Sequence, residues 1–414
     1  MARPARSLEQ HVLQASFRGR RHHQLLAREP LPPEWRLFAA LQARYQAASS
    51  EPERRAVALQ FEQAVTAAHN QAKARDGGLA GPGLEEQLSA LGKPGSLPHL
   101  LAFFPALLRY PGGPLHGQPF QLEQWQRAFL REFQRRDRAG RRLYKKALLG
   151  VPTGNGKTTL AAGLGVYQLL NQPDAPQVLL AAGSREQARL GLDCARHMTG
   201  QSLREWVPAT GNRLDCPKRQ ASMYALSSEG TLQHGRTPAA ALLDELWTFT
   251  SKRQVETHTA LTAAIHKRAD AYLLATSTAG SNPSSLLGRI YRDALTWDDV
   301  TVHARGCLTV AKNPDARALV WWYGAPADAD PADPKILRAC NPASWINVSD
   351  LQQQLRDPGL SESDFRRLHL NQWPGTADLH RPTRTASAAR RRPARDESSL
   401  EEILARIRSR THGR

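Results

Sequence analysis

Apolar residues recur at helical spacing through roughly the first 75 residues, where Ala, Leu, Gln, Glu and Arg dominate. Val57, Phe61 and Val65 fall on one face of the stretch 52–74, with Leu59 beside them, so residues 1–75 are expected to form a helical N-terminal region. Asp76, Gly77 and Gly78, followed by Gly81, Pro82 and Gly83, break that texture. A connector is expected over 76–118, with one short helix and then Pro98, Pro105, Pro111, Pro114 and the pair Gly112–Gly113. From Phe120 the pattern changes: the runs ALLGV (147–151), QVLLAA (177–182), AAALLDE (239–245) and AYLLATST (271–278) alternate with helical stretches. Strands that alternate with helices specify an α/β fold, a mainly parallel sheet flanked by helices. This domain is expected over 119–312, with a linker subdomain over 313–373 in which Val320, Trp321, Trp322 and Tyr323 continue the strand pattern less clearly. Residues 374–414 lack core-forming side chains and read as a short disordered basic tail. Within it, Leu400, Ile403, Leu404 and Ile407 sit at i, i+3, i+4 and i+7 behind a Ser399/Glu402 capping box, which would suit a short amphipathic helix.

Charge adds a partner class to this outline. The 414 residues carry 56 Lys+Arg against 38 Asp+Glu, a net +18, which favours a polyanion: nucleic acid first, an anionic membrane surface second. Eight basic residues lie between Arg131 and Lys146, ten arginines between Arg381 and Arg414, and seven in the first 36 residues. Each group suits sequence-independent phosphate contact, and each also suits a solvated helix face or arm. No run of apolar residues is long enough for a membrane span and the N-terminus has no apolar signal core, so a cytoplasmic protein is expected. Cys194, Cys216, Cys307 and Cys340 are too scattered for a CxxC metal site or a disulfide framework.

The chemistry is carried by Gly150-Val-Pro-Thr-Gly-Asn-Gly-Lys-Thr158, which follows an apolar strand and opens a good helix. Gly154, Asn155 and Gly156 would bring backbone N–H groups to phosphates, with Thr159 continuing the cradle into the helix. Lys157 would reach the β- and γ-phosphates, and the Thr158 hydroxyl would bind Mg²⁺. The strict pattern has Gly where Val151 stands, so the loop is a variant. Downstream, Leu242-Leu243-Asp244-Glu245 ends an apolar strand: Asp244 would hold the metal shell and Glu245 would activate the attacking water. The strand 273–278 ends in hydroxyls, among which Thr276 could sense the γ-phosphate. Ahead of the loop, Gln121 and Gln126 could present an amide to adenine. Together these define a P-loop NTPase of the additional-strand, catalytic-Glu type that uses ATP and Mg²⁺.

The motifs in this order resemble the large terminase subunit of tailed bacteriophages: LEQWQRAF, VPTGNGKTTLAA, AAGSREQA (181–188), ALLDELW (241–247), ATSTAG (275–280), NPASW (341–345) and FRRLHLNQW (365–373). The resemblance spans roughly 119–373. It implies an ATPase motor that moves double-stranded DNA into a procapsid inside the host cell, encoded by a phage or prophage. It also implies a portal and a small terminase subunit as partners, a homo-oligomeric ring, and a C-terminal nuclease. Two departures stand out. Terminases usually carry an arginine inside the phosphate loop, where this chain has Thr153; Arg236 is then the candidate transition-state arginine. Only 41 residues follow Trp373, too few for that nuclease, so nuclease activity is expected to be absent, the tail being either an out-of-frame reading or a basic arm. Two rival readings remain: a DNA-binding assembly protein with a silent ATPase remnant, or a related ATP-driven helicase or translocase.

Overall fold

The computed structural model describes residues 8, 18, 22–28, 36–77, 84–172, 174–200, 203–210, 212–226 and 237–373. The expectations for the tail 374–414, its amphipathic helix included, lie outside these residues. Two compact units are resolved, Met1–Glu86 and Gln87–Arg414.

The first unit is helical, as its periodicity requires. After a short turn at Leu25–Arg28 come α1 (Arg36–Ala47) and α2 (Glu51–Gly77). Val57, Phe61 and Val65 form a buried stripe with Leu26, Leu41 and Tyr45. Leu59 is instead 55 % exposed. At about 100° per residue, two positions from Val57 carry it to the opposite face of α2.

The second unit is built on one mixed sheet. Among the described residues its strands are β1 (Lys146–Gly150), β2 (Gln177–Ala181), β3 (Ala209–Thr210), β4 (Arg213–Cys216), β5 (Ala221–Ala225), β6 (Ala240–Leu243), β7 (Tyr272–Ser277), β8 (Asp299–His303), β9 (Leu308–Asn313) and β10 (Ala318–Tyr323). They lie in the order β3-β4-β5-β2-β6-β7-β1-β10-β9-β8. The central run from β5 to β10 is parallel, and antiparallel β4 and β9 extend it on either side. β7 is inserted between β1 and β6, pairing Thr276 with Leu149 and Ala275 with Leu243. That inserted strand is the additional strand expected of a catalytic-Glu P-loop protein. β6 and β7 are buried along their whole length, which is why they appear in the sequence as continuous apolar runs rather than alternating ones.

Helices cover the sheet: α3 (Leu97–Leu107), α4 (Gln124–Phe133), α5 (Lys157–Asn171), α6 (Arg185–Met198), α7 (Lys252–Ala264), α8 (Leu286–Ala294), α9 (Pro334–Cys340), α10 (Val348–Gln354) and α11 (Glu362–His369). Residues 97–107 fall where the prolines suggest a connector, yet they form a buried helix. Ser96 accepts from His99 N at its start, Pro98 sits in the first turn where no intrahelical N–H is needed, and Phe103 and Phe104 are fully buried. Phe104 packs on α5 at Gly163, where a Cβ would come within 2.6 Å of its ring.

Gly150, the last residue of β1, is fixed by packing rather than by a positive φ. A Cβ there would lie 2.0 Å from Trp322 Cε3, and that indole is held by Tyr291 (4.6 Å between centroids) and stacked on Trp373 (6.1 Å). Gly150→Ala is therefore expected to lower folding stability by about 3 kcal/mol, through overpacking that the ring cannot relieve. Urea unfolding of the full chain measures it; an unchanged midpoint would contradict the packing argument.

Two members of the basic run 131–146 are turned inward. Arg142 is 3 % exposed, donates Nε to Asp270 O (3.0 Å) and an Nη to Gln134 Oε1 (2.9 Å), and lies over the Tyr272 ring. Lys145 is equally buried and donates to the carbonyls of Ile265 and Arg268. Arg135, Arg136 and Arg141 pair with Glu132, Asp270 and Asp137. Arg142 and Lys145 are thus withdrawn from phosphate contact, while Arg135, Arg136 and Arg141 pair with carboxylates nearer the surface.

Candidate active site

The loop between β1 and α5 takes the shape its glycines permit. Gly154 (φ +84°) and Gly156 (φ +83°) adopt left-handed backbone that a side chain would strain, and Gly156 is the N-cap of α5. The first N–H groups of α5 and its positive dipole end therefore point out of the sheet at this loop, an arrangement made for an anion. Val151, at the position where the strict motif has Gly, is fully buried and donates its N–H to Ser277 O (3.1 Å), anchoring the loop to β7.

Lys157, Thr158, Asp244, Glu245 and Thr276 converge at the C-terminal ends of the parallel strands. Thr158 Oγ1 donates to Asp244 Oδ2 (2.7 Å) and Thr276 Oγ1 donates to Asp244 Oδ1 (2.6 Å). Burial pushes the Asp244 carboxyl above its ordinary pKa, and those two hydroxyls and the Lys157 ammonium oppose the rise. Lys157, only 5 % exposed, forms an ion pair with Glu245 (Nζ–Oε1 2.8 Å). The second oxygen of Glu245 accepts from Thr278 N and Oγ1, both at 3.3 Å. Glu245 itself has φ +49°, a left-handed conformation uncommon for a non-glycine residue, held by the turn at Leu246–Thr248.

The remaining expected site residues are placed as follows. The Asn155 side chain turns away from the loop opening: Nδ2 donates to Asn341 Oδ1 (2.9 Å), and Oδ1 accepts from Ala343 N (3.1 Å). Only its backbone N–H faces the anion position by motif geometry. Thr159 contacts the Cys194 thiol, which burial holds up at about 11. Gln126 is fully buried in α4, its Nε2 3.9 Å from where a Gly156 Cβ would be. Gln121 is exposed, with only its backbone carbonyl engaged, by Tyr110 (3.1 Å). Arg236 lies outside the described residues.

Three contacts were not foreseen from the motifs. Trp345 donates its ring N–H to Gly154 O (2.9 Å), Thr153 N donates to Leu368 O (2.9 Å), and Ser344 bonds Glu123 through both N (3.1 Å) and Oγ (2.9 Å). The segment around NPASW thus packs along the outer side of the phosphate loop. The motif is visible in the sequence, but its partner is 191 residues away in the chain, and nothing local names that partner.

Hard oxygen donors meet within 2.7 Å at Thr158 and Asp244, a set that fits Mg²⁺. Among the described residues no cluster of three His, Cys, Asp or Glu is arranged to hold a metal by itself. Mg²⁺ characteristically takes one or two protein oxygens and completes its shell with water and substrate phosphate, and this site offers that complement.

A mixed sheet with a parallel centre and an inserted strand, a glycine loop entering a helix, and an Asp-Glu pair at the end of β6 define a P-loop NTPase fold of the additional-strand type. Residues 124–294 match the family model described as terminase large subunit, ATPase domain. The chain is 30 % identical over 285 residues to the terminase large subunit of Enterobacteria phage HK97, covering 66 % of this chain and 52 % of that protein. The crystal structure of the HK97 large terminase superposes with a TM-score of 0.55 at 28 % identity, over 66 % of this chain and 54 % of that one. The chain is similar to phage terminase large subunits in their ATPase part, and it spans about half the length of the relative it matches. None of the described helices is long and apolar enough to cross a membrane.

Proposed function

We propose that this protein is the ATP-hydrolysing motor subunit of a phage terminase, driving double-stranded DNA into procapsids in the host cytoplasm. The convergence of Lys157 and Thr158 with Asp244 and Glu245 carries the reading. Gly154, Gly156, Thr158 and Thr159 supply backbone N–H groups to the triphosphate, and Lys157 neutralises its β/γ end. Thr158 and Asp244 would hold Mg²⁺, whose charge offsets that of the phosphate oxygens. Glu245, adjacent to Asp244, orients and deprotonates the attacking water. Thr276 keeps Asp244 in place from β7, and Gln126 addresses the base. By kinship, a portal, a small terminase subunit and further copies of this chain in a ring are the expected partners.

Mg²⁺-dependent ATP hydrolysis by the full chain, stimulated by duplex DNA, tests the proposal. A protein that binds DNA without turnover, even with procapsids supplied, would instead be an assembly factor. Strand separation on a forked duplex would make it a helicase. Arg236 is assigned to the transition state by its place shortly before β6. Arg236→Ala is expected to lower turnover at least about ten-fold with little change in nucleotide affinity; wild-type turnover in that variant would remove the assignment.

A further inference from the structure

We infer that Trp345 forms one wall of a slot for the nucleotide base, with its indole stacking on the purine. This rests on the nucleotide reading of the phosphate loop and adds a residue that binds the base rather than the phosphates.

The indole is seated on the loop itself: a Cβ at Gly156 would lie 3.0 Å from Trp345 Cζ2 and 3.3 Å from Cη2. Its only polar atom, Nε1, donates to Gly154 O at 2.9 Å, which fixes the plane of the ring. Nevertheless Trp345 is 44 % exposed, the sole tryptophan among the exposed large hydrophobic residues of the described part of the chain. A rigid ring that is anchored at its edge and open to solvent is a stacking platform. The second observation is on α4. Gln126 is fully buried, and its Oε1 accepts from Glu123 N (2.9 Å), so the amide N–H₂ is the end directed at the loop. Nε2 has no hydrogen-bond partner and lies 3.9 Å from the same Gly156 position as the indole. An unsatisfied buried donor beside an exposed aromatic surface calls for a flat ligand carrying ring acceptors, and the ring nitrogens of a purine meet that need.

The two sides of the slot are held in register. Ser344, the neighbour of Trp345, bonds Glu123, the residue that Gln126 caps. From behind, Arg338 donates to the carbonyls of Ala343 (2.6 Å) and Ile346 (2.9 Å), bracketing Trp345. Such preorganisation leaves little side-chain freedom for the ligand to freeze.

Calorimetric titration of the full chain with Mg²⁺ and either ATPγS or tripolyphosphate, which has no base, separates stacking from loop bracing. Trp345→Ala is expected to weaken ATPγS at least about ten-fold while tripolyphosphate stays within about two-fold, and Trp345→Phe is expected to keep ATPγS within about three-fold. Parallel loss of both ligands would make Trp345 a brace for Gly154 and overturn the inference, as would undiminished ATPγS binding in Trp345→Ala. Lys157→Ala should weaken both ligands. Wild-type protein that binds neither would overturn the nucleotide reading and this inference with it.

Discussion

Lys157→Ala is expected to reduce ATP turnover at least about 100-fold and to weaken ATP and tripolyphosphate alike. Lys157 is 5 % exposed at the first turn of α5, and among the described residues its ammonium is the cation paired with the carboxylate of Glu245. Truncating the charged partner of a desolvated phosphate costs about 2–5 kcal/mol, and each 1.4 kcal/mol is about a decade in rate or affinity. Alanine also leaves Glu245 without its counter-ion, held only by Thr278 at 3.3 Å. Steady-state hydrolysis, with thermal unfolding to exclude a folding defect, checks the prediction. A well-folded variant that retains turnover within about three-fold of wild type would show that this lysine does not serve the phosphates.

Glu245→Gln should separate chemistry from binding. The amide preserves size and can still accept from Thr278, but it cannot take a proton from water. Loss of a positioned general base lowers rate by about 10²–10⁴-fold, and turnover should fall within that range. Affinity should stay equal or rise. The Lys157–Glu245 pair at 2.8 Å engages the lysine that the phosphates need, and a neutral amide frees it. Parallel measurement of hydrolysis and ATPγS affinity tests both halves. Turnover close to wild type would falsify the role given to Glu245, and a marked loss of affinity would show the ion pair to be part of the binding conformation rather than a competitor to it.

Much of the site was legible because it is local. The motif of the loop 150–158 is readable from neighbouring residues alone: two glycines that tolerate positive φ, a lysine at the helix start, and a hydroxyl beside it. Asp244 and Glu245 were legible for a different reason. β6 is buried on both faces, so its apolar run ends abruptly where two acids meet the open end of the sheet. By contrast, charge alone does not reveal that Arg142 and Lys145, within the basic cluster 131–146, point inward to carbonyls and rings from 120 or more residues away. Residues 97–107 mislead in the other direction: prolines suggest a connector, yet Pro98 falls in the first turn, Pro105 is accommodated near the helix end, and Phe103 and Phe104 reach the core.

The sequence by itself determined the fold class, the phosphate loop and the identity of the acidic pair, since each depends on a short-range pattern of burial or backbone freedom. Only the tertiary structure decided how these parts meet. β7 enters between β1 and β6 and presents Thr276 to Asp244, Asn155 turns from the loop opening to Asn341 and Ala343, and Trp345 arrives on Gly154 from far along the chain. Strand order and long-range hydrogen bonds join residues whose separation leaves no periodic trace, so they become visible only when the chain has closed on itself.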